Sequence, residues 1–166
     1  MKRKTILNTM MAIGIALMLN GCAGKDGAPG ATGPAGANGV ANITSNVYPI
    51  TPGSWSNPGT GEYAVNISDA SITDATNDGV EVFISTNGTL WLGLPATNLL
   101  VNGDQMEFAY QTGQVSLIYL NSSAPSNTVS LKVVTIPPAI MKQHPNTNWK
   151  DYSQVQSIIN SQNANQ

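Results

Sequence analysis

The sequence predicts an all-β fold. One sandwich or jelly-roll-like domain of about seven strands carries a short C-terminal helix, and a signal helix and an extended, glycine-periodic stalk precede it. Three observations lead there. Beyond Val40, apolar and polar residues alternate in short runs at about ten-residue spacing, the mark of strands with one buried face. Pro, Gly, Asn and Asp cluster between those runs. No ten-residue helical pattern separates them, which argues against a βαβ sheet.

The elements follow in chain order. Ile43 to Ile50 reads as a first strand, stopped by Pro49, Pro52 and Gly53. Ser56 to Gly61 reads as a Pro/Gly loop. Tyr63, Val65 and Ile67 alternate with Ala64, Asn66 and Ser68, and Ile72-Thr73 extends that strand. After the Asn77-Asp78-Gly79 turn, Val80, Val82 and Ile84 alternate again. Asn87-Gly88, between Val80–Thr86 and Thr89–Leu94, predicts a type I′ hairpin, because that turn needs two residues at positive φ. Pro95 closes the second strand.

Asn102-Gly103-Asp104 is a further turn. Met106, Phe108 and Tyr110 alternate, Thr112-Gly113 turns, and Val115 to Leu120 returns. Ser122 to Ser126 is a polar loop. Val129, Leu131 and Val133 begin a strand that runs to Ile136 and ends at Pro137-Pro138. At the C-terminus Asn148 is placed to cap a helix, with Asp151 three residues on. Tyr152, Val155 and Ile159 then share one helical face, and Asn160 to Gln166 are polar enough to fray.

The N-terminus has a different character. Lys2, Arg3 and Lys4 precede an apolar run from about Met10 to Leu19, too short for the roughly 20 residues that span a bilayer. It fits a secretory signal. The residues that follow, Leu19-Asn20-Gly21-Cys22, resemble the lipobox of bacterial lipoproteins. That resemblance implies cleavage between Gly21 and Cys22, a diacylglyceryl thioether on Cys22 and acylation of the new amine. Several long chains then hold the protein far better than one chain would, at about 0.8 kcal/mol per buried CH₂. Cys22 is the only cysteine, so its lipidation leaves no thiol for a disulfide or a metal.

Behind Cys22 glycine returns every third residue, at Gly24, Gly27, Gly30, Gly33, Gly36 and Gly39. Three polyproline II strands pack about an axis where only glycine fits, so the period reads as collagen-like. As a polyproline-type rod the stretch would reach about 55 Å. Two readings stand: a triple helix that makes the protein a homotrimer, and a monomeric Gly/Ala/Pro linker. The chain thus divides into a lipoprotein signal peptide at 1–21, the lipidated cysteine and stalk at 22–41, and the β-domain at 42–166.

Without its signal, the chain keeps Lys25, Lys132, Lys142 and Lys150 against nine acidic residues, a net charge of about −5. An acidic chain without basic clusters argues against nucleic acid as a partner, and against docking on anionic lipid.

Candidate chemistry is sparse. His144 is the single histidine, in a loop between Gln143 and Pro145, and no G-x-S-x-G elbow occurs. Asp74 to Gly79 has the opening of a calcium loop. Its third position is Thr76 and its twelfth is Ser85, so an Asn-Asp-Gly turn is preferred. Glu62, Glu81 and Glu107 lie on strands, where paired carboxylates could serve glycoside hydrolysis. Their place on the polar phase points them to solvent instead. Trp55 and Trp149 are candidates for stacking on a sugar ring, whereas Trp91, within Leu90-Trp-Leu-Gly-Leu, reads as core. No catalytic residue, metal or cofactor is assigned.

Taken along its length, the chain resembles a group of Gram-negative bacterial collagen-like lipoproteins. The resemblance rests on the lipobox and the Gly-Lys-Asp-Gly opening of the triplets. Within the domain it rests on Ile72-Thr73, Gly79-Val80, Val82-Phe83, Trp91 with Leu94-Pro95, Lys132-Val133-Val134, Ile136-Pro137, and Asp151-Tyr152 with Val155. It implies no activity. The expectation is a non-enzymatic, structural or adhesive protein anchored in the outer membrane through Cys22, since Ala23 after the cysteine is compatible with sorting there. The head faces the periplasm or the outside. A carbohydrate-binding module that captures a glycan or matrix ligand is the alternative, and a hydrolase would need a groove with two close carboxylates.

Overall fold

A computed structural model describes residues 42–164. The signal segment, the lipobox at Cys22 and the glycine triplets lie outside the described residues. Nine strands form among them: β1 Thr44–Ile50, β2 Ser56–Gly59, β3 Glu62–Ser68, β4 Gly79–Ser85, β5 Leu92–Gly93, β6 Ala96–Thr97, β7 Gln105–Gln111, β8 Gln114–Leu120 and β9 Val129–Ile136. Two helices follow, α1 Pro138–Gln143 and α2 Tyr152–Asn163. All strand pairs are antiparallel. One sheet has the order β1-β9-β4-β5 and the other β2-β3-β8-β7-β6.

The inward faces of the two sheets share one core, the arrangement of a β-sandwich. Val80, Val82 and Ile84 of β4 and Val129, Leu131 and Val133 of β9 meet Val65 and Ile67 of β3, Met106 of β7, and Val115, Leu117 and Tyr119 of β8. The five-stranded sheet turns a polar face outward, where Ser116 Oγ donates to Asn66 Oδ1 across the strands at 2.6 Å. The four-stranded sheet is apolar on its second face too. Phe83, Val134 and Ile136 there pack under Ile140 of α1 and Val155 and Ile158 of α2. The domain therefore has three layers, sheet, sheet and helices.

Several expectations are corrected by the fold. About seven strands are legible in the sequence: β2 reads there as a loop and the two-residue β6 gives no pattern, while β5 is only Leu92–Gly93 of the strand expected over Thr89–Leu94. Ser56 to Gly59 is an edge strand with a register shift rather than a loop; Pro58 is tolerated because an edge needs no second donor. Ile72 is buried in the loop after β3 and does not extend it. Asn87-Gly88 is not a type I′ turn: Gly88 has φ +78° but Asn87 is not at positive φ. The Asn87 side chain instead accepts from the backbone N–H of Thr89 at 2.9 Å and of Leu90 at 3.0 Å, which opens the loop and delays β5 to Leu92.

The C-terminal region differs in two ways. Pro137-Pro138 ends β9 as expected, but Pro138 also starts α1, where proline suits a first helical turn. The cap of α2 is Asp151, whose Oδ1 accepts from Ser153 N at 2.9 Å, while Asn148 holds the turn before it. The helix continues to Asn163, past the point where fraying was expected.

The half-buried Lys132 is held by aromatic rings of the helix layer. Lys132 Nζ, on the outward phase of β9, lies 4.1 Å from the centroid of the Trp91 ring and 4.4 Å from that of Tyr152, and donates to the Tyr152 hydroxyl. That hydroxyl donates onward to Gln156 Oε1 at 2.7 Å. Replacing Lys132 by Met keeps the stem and removes the charge. A loss of about 1 kcal/mol in urea-unfolding free energy is expected; an unchanged midpoint would show that the rings hold α2 without the ammonium.

Candidate functional site

The described residues bring polar side chains together mainly at one end of the sandwich. The loop after β3 crosses that end and carries Asp69, Ser71, Thr73 and Asp78. A cleft of about 420 Å³ opens there, lined by Asn42, Thr44, Ser71, Thr73, Asp78, Thr135, Pro137 and Pro138. A cleft by Tyr119 and Ser123–Asn127 holds about 140 Å³, and one by Leu90 and Leu92 about 200 Å³. The first is within the 300–1,000 Å³ usual for small-molecule sites.

Behind the wall of that cleft sits Asp69, 1% exposed. Its Oδ1 accepts from Ser71 Oγ at 2.6 Å, from Ser71 N at 2.9 Å and from Asn46 Nδ2 at 3.0 Å. Its Oδ2 is buried and has no hydrogen-bond partner. Ser71 Oγ also lies 2.9 Å from Thr135 Oγ1. Burial first, and then the Asp69 charge, raise the pKa of the nearby Tyr48 hydroxyl. At the mouth, Asp78 Oδ2 accepts from Asp74 N at 3.0 Å, Thr73 N at 3.2 Å and Thr73 Oγ1 at 3.3 Å.

The other carboxylates are occupied locally. In the expected calcium-loop region, Asp74 Oδ1 accepts from Thr76 N at 3.0 Å and Oδ2 from Asn77 Nδ2 at 2.7 Å; these bonds, the Asn77 side chain first, hold its pKa low. Asp104, 1% exposed, accepts from the N–H of Leu99, Leu100 and Val101 at 2.7, 2.8 and 3.1 Å. Burial by itself would raise its pKa, but the three N–H bonds and the Tyr119 hydroxyl outweigh it and hold the carboxyl below the usual range.

The strand glutamates do not converge. Glu62 and Glu107 lie on the outward face of the five-stranded sheet, two strands apart, while Glu81 is on the other sheet beneath the helices. Glu81 is therefore not solvent-facing as its phase suggested. Burial raises its pKa, and the Lys150 charge offsets part of that.

The two tryptophans expected to stack on a ligand belong to different layers. Trp55 packs against the sandwich core, 5.8 Å from Tyr119, with its indole N–H buried and unpartnered. Trp149 packs with the helix-side cluster and meets His144 edge-on at 6.5 Å. Trp91 packs on that same cluster. Sequence reasoning missed the cleft residues. The available signal was Thr135, a polar residue on the otherwise apolar inward phase of β9. No family model, curated protein or solved structure matches the chain.

Two titrations report on this account. Asp104 has its pKa depressed by folding, so its stabilisation is complete above the unfolded value of about 3.9 and disappears as pH falls through the folded value. Asp104→Asn should lose about 2 kcal/mol at pH 7, with the gap to wild type narrowing in acid unfolding curves below about pH 4. Glu81 has the opposite sign. Its raised pKa favours the folded state below the unfolded value of about 4.3 and is lost as pH rises through the folded one. Glu81→Gln should therefore melt higher than wild type at pH 7 and equal to it near about pH 4, read by thermal circular dichroism.

Proposed function

We propose that the chain is a non-enzymatic, lipid-anchored protein of the bacterial cell envelope, structural or adhesive in role. It displays the domain of residues 42–166 on a collagen-like spacer at the outer membrane. The observation that carries the reading is the placement of the only cysteine: Cys22 closes a basic and apolar leader and opens six glycine triplets. In the lipobox reading the acylated Cys22 becomes the mature N-terminus, and the glycine triplets lie where a spacer would, directly behind it. Ala23 agrees with outer-membrane sorting. Among the described residues no helix is long and apolar enough to cross a membrane.

The domain supports the same reading through the state of its carboxylates. Asp74, Asp104 and Asp151 each accept from nearby backbone N–H groups, which fixes loops and a helix start. Such groups act as fasteners for a rigid displayed body. The triplets would add a homotrimer if they wind together, or reach alone if they do not.

The test is Cys22→Ser in a Gram-negative host grown with labelled palmitate. The wild-type chain is expected to take up label and to sediment with membranes, and the variant to lose both. Equal labelling and equal membrane retention of the variant would overturn the proposal. Protease shaving of intact cells then reads orientation: digestion of the head places it outside, and protection places it in the periplasm.

A further inference from the structure

The direction of the hydroxyl protons sets the chemistry of the cleft at the end of the sandwich. As a carboxylate Asp69 can only accept, so Ser71 Oγ–H donates to its Oδ1 at 2.6 Å. The single hydroxyl proton of Ser71 is then committed. The 2.9 Å contact between Ser71 and Thr135 must run the other way, with Thr135 Oγ1–H donating to Ser71 Oγ. Thr73 Oγ1–H donates to Asp78 Oδ2 at 3.3 Å. Three hydroxyls that line the cleft thus turn their protons toward a carboxylate or toward one another. Ser71 Oγ also accepts from Asn46 Nδ2 at 3.5 Å, so the lone pairs left for an occupant are those of Thr73 and Thr135, beside the amide of Asn42.

No lysine or arginine lines this cleft; its charged wall residue is Asp78, and the buried Asp69 stands behind Ser71. An anion would meet acceptors and negative charge, and would be rejected. The acceptors come from three separate elements: Thr44 on β1, Thr73 and Asp78 on the loop after β3, and Thr135 on β9. A single ammonium could reach only part of such a spread, whereas a ring bearing several hydroxyls could meet it from several sides. Pro137 and Pro138 supply an apolar wall against which the C–H face of a ring can lie. We infer that the cleft binds a hydroxyl-rich, amine-bearing ring, an amino-sugar unit of a glycan. N-acetylated and acidic sugars are disfavoured there. The inference goes beyond the lipid anchor and does not depend on it.

The test titrates the full-length protein, held in detergent micelles, with a glucosamine tetramer, its N-acetylated counterpart, a galacturonate tetramer and tetralysine, by calorimetry. Only the glucosamine tetramer is expected to bind strongly, with the N-acetylated form about tenfold weaker and galacturonate silent. Asp78→Asn and Thr135→Val should each weaken it about fivefold or more. Thr44→Val, at an exposed position on an edge strand, gives the same reading should Thr135→Val fail to fold. The inference is overturned if none of the sugars binds, or if tetralysine matches the glucosamine tetramer. Binding left unchanged by the Asp78 and Thr44 variants overturns it as well.

Discussion

The constraint on which the domain depends is the burial of β9 on both faces. It pairs with β1 along seven residues and with β4 along seven more, so its backbone is fully committed. Its inward side chains enter the sandwich core, while Val134 and Ile136 point the other way. A sheet with water on that second face would expose these and Phe83, at about 1.5–3 kcal/mol each. The helices α1 and α2 remove that exposure. Their approach is close enough to dictate residue type elsewhere: a Cβ at Gly93 would lie 2.6 Å from the Lys150 carbonyl oxygen, in the segment that leads into α2. Gly93 is a glycine because the helix layer needs the space.

The same double burial accounts for the placement of charge. Lys132 and Glu81 sit on the outward phase of central strands, where an exposed sheet would hand them to solvent. Beneath the helices each needs a local answer. Lys132 lies over two aromatic rings and donates to a phenol, whereas Glu81 has the Lys150 charge near it and an elevated pKa. A cation is easier to accommodate here, since ring faces carry negative charge and the flexible lysine stem packs as hydrocarbon. A carboxylate has no such partner in an aromatic cluster.

This explains which parts of the fold could be read in advance. Long strands with one wet face, β3 and β7, alternate cleanly and were legible. The central strands β4 and β9 are visible too, but Val82-Phe83-Ile84 and Val133-Val134-Thr135-Ile136 break alternation. A run apolar on both phases calls for a cover on each face. That would have predicted a helix layer, and with it α1; the polar last turn of α2 is tied instead by Gln162 Oε1, which accepts from Ile43 N at 3.1 Å. The Asn87 error has another source. Asparagine tolerates positive φ, yet its side chain also captures nearby N–H groups, and the two roles favour different turns. Sequence spacing does not decide between them. The candidate cleft was least legible, because Asn42, Thr44, Ser71, Asp78 and Thr135 approach one another only through strand register and the return of the loop after β3.

Thr135 shows why the sandwich should end in polar groups at all. It follows Val129, Leu131 and Val133 on the inward phase, and is paired with Val80 on one side and Thr44 on the other. Its side chain is 4% exposed, so its hydroxyl must find a partner within the fold. Valine there would be nearly isosteric and would carry the apolar core one layer further, but Ser71 and Asp69 would then face hydrocarbon. A hydroxyl at 135 lets the core end in a hydrogen-bonded chain, Thr135 to Ser71 to the buried Asp69, instead of against unpaired polar groups. Because that chain terminates on a carboxylate, its protons have one sense, inward. At this end of the sandwich the Thr135 hydroxyl, its proton turned to Ser71, keeps a lone pair toward the cleft. The polarity of the cleft is thus a consequence of how the core is closed.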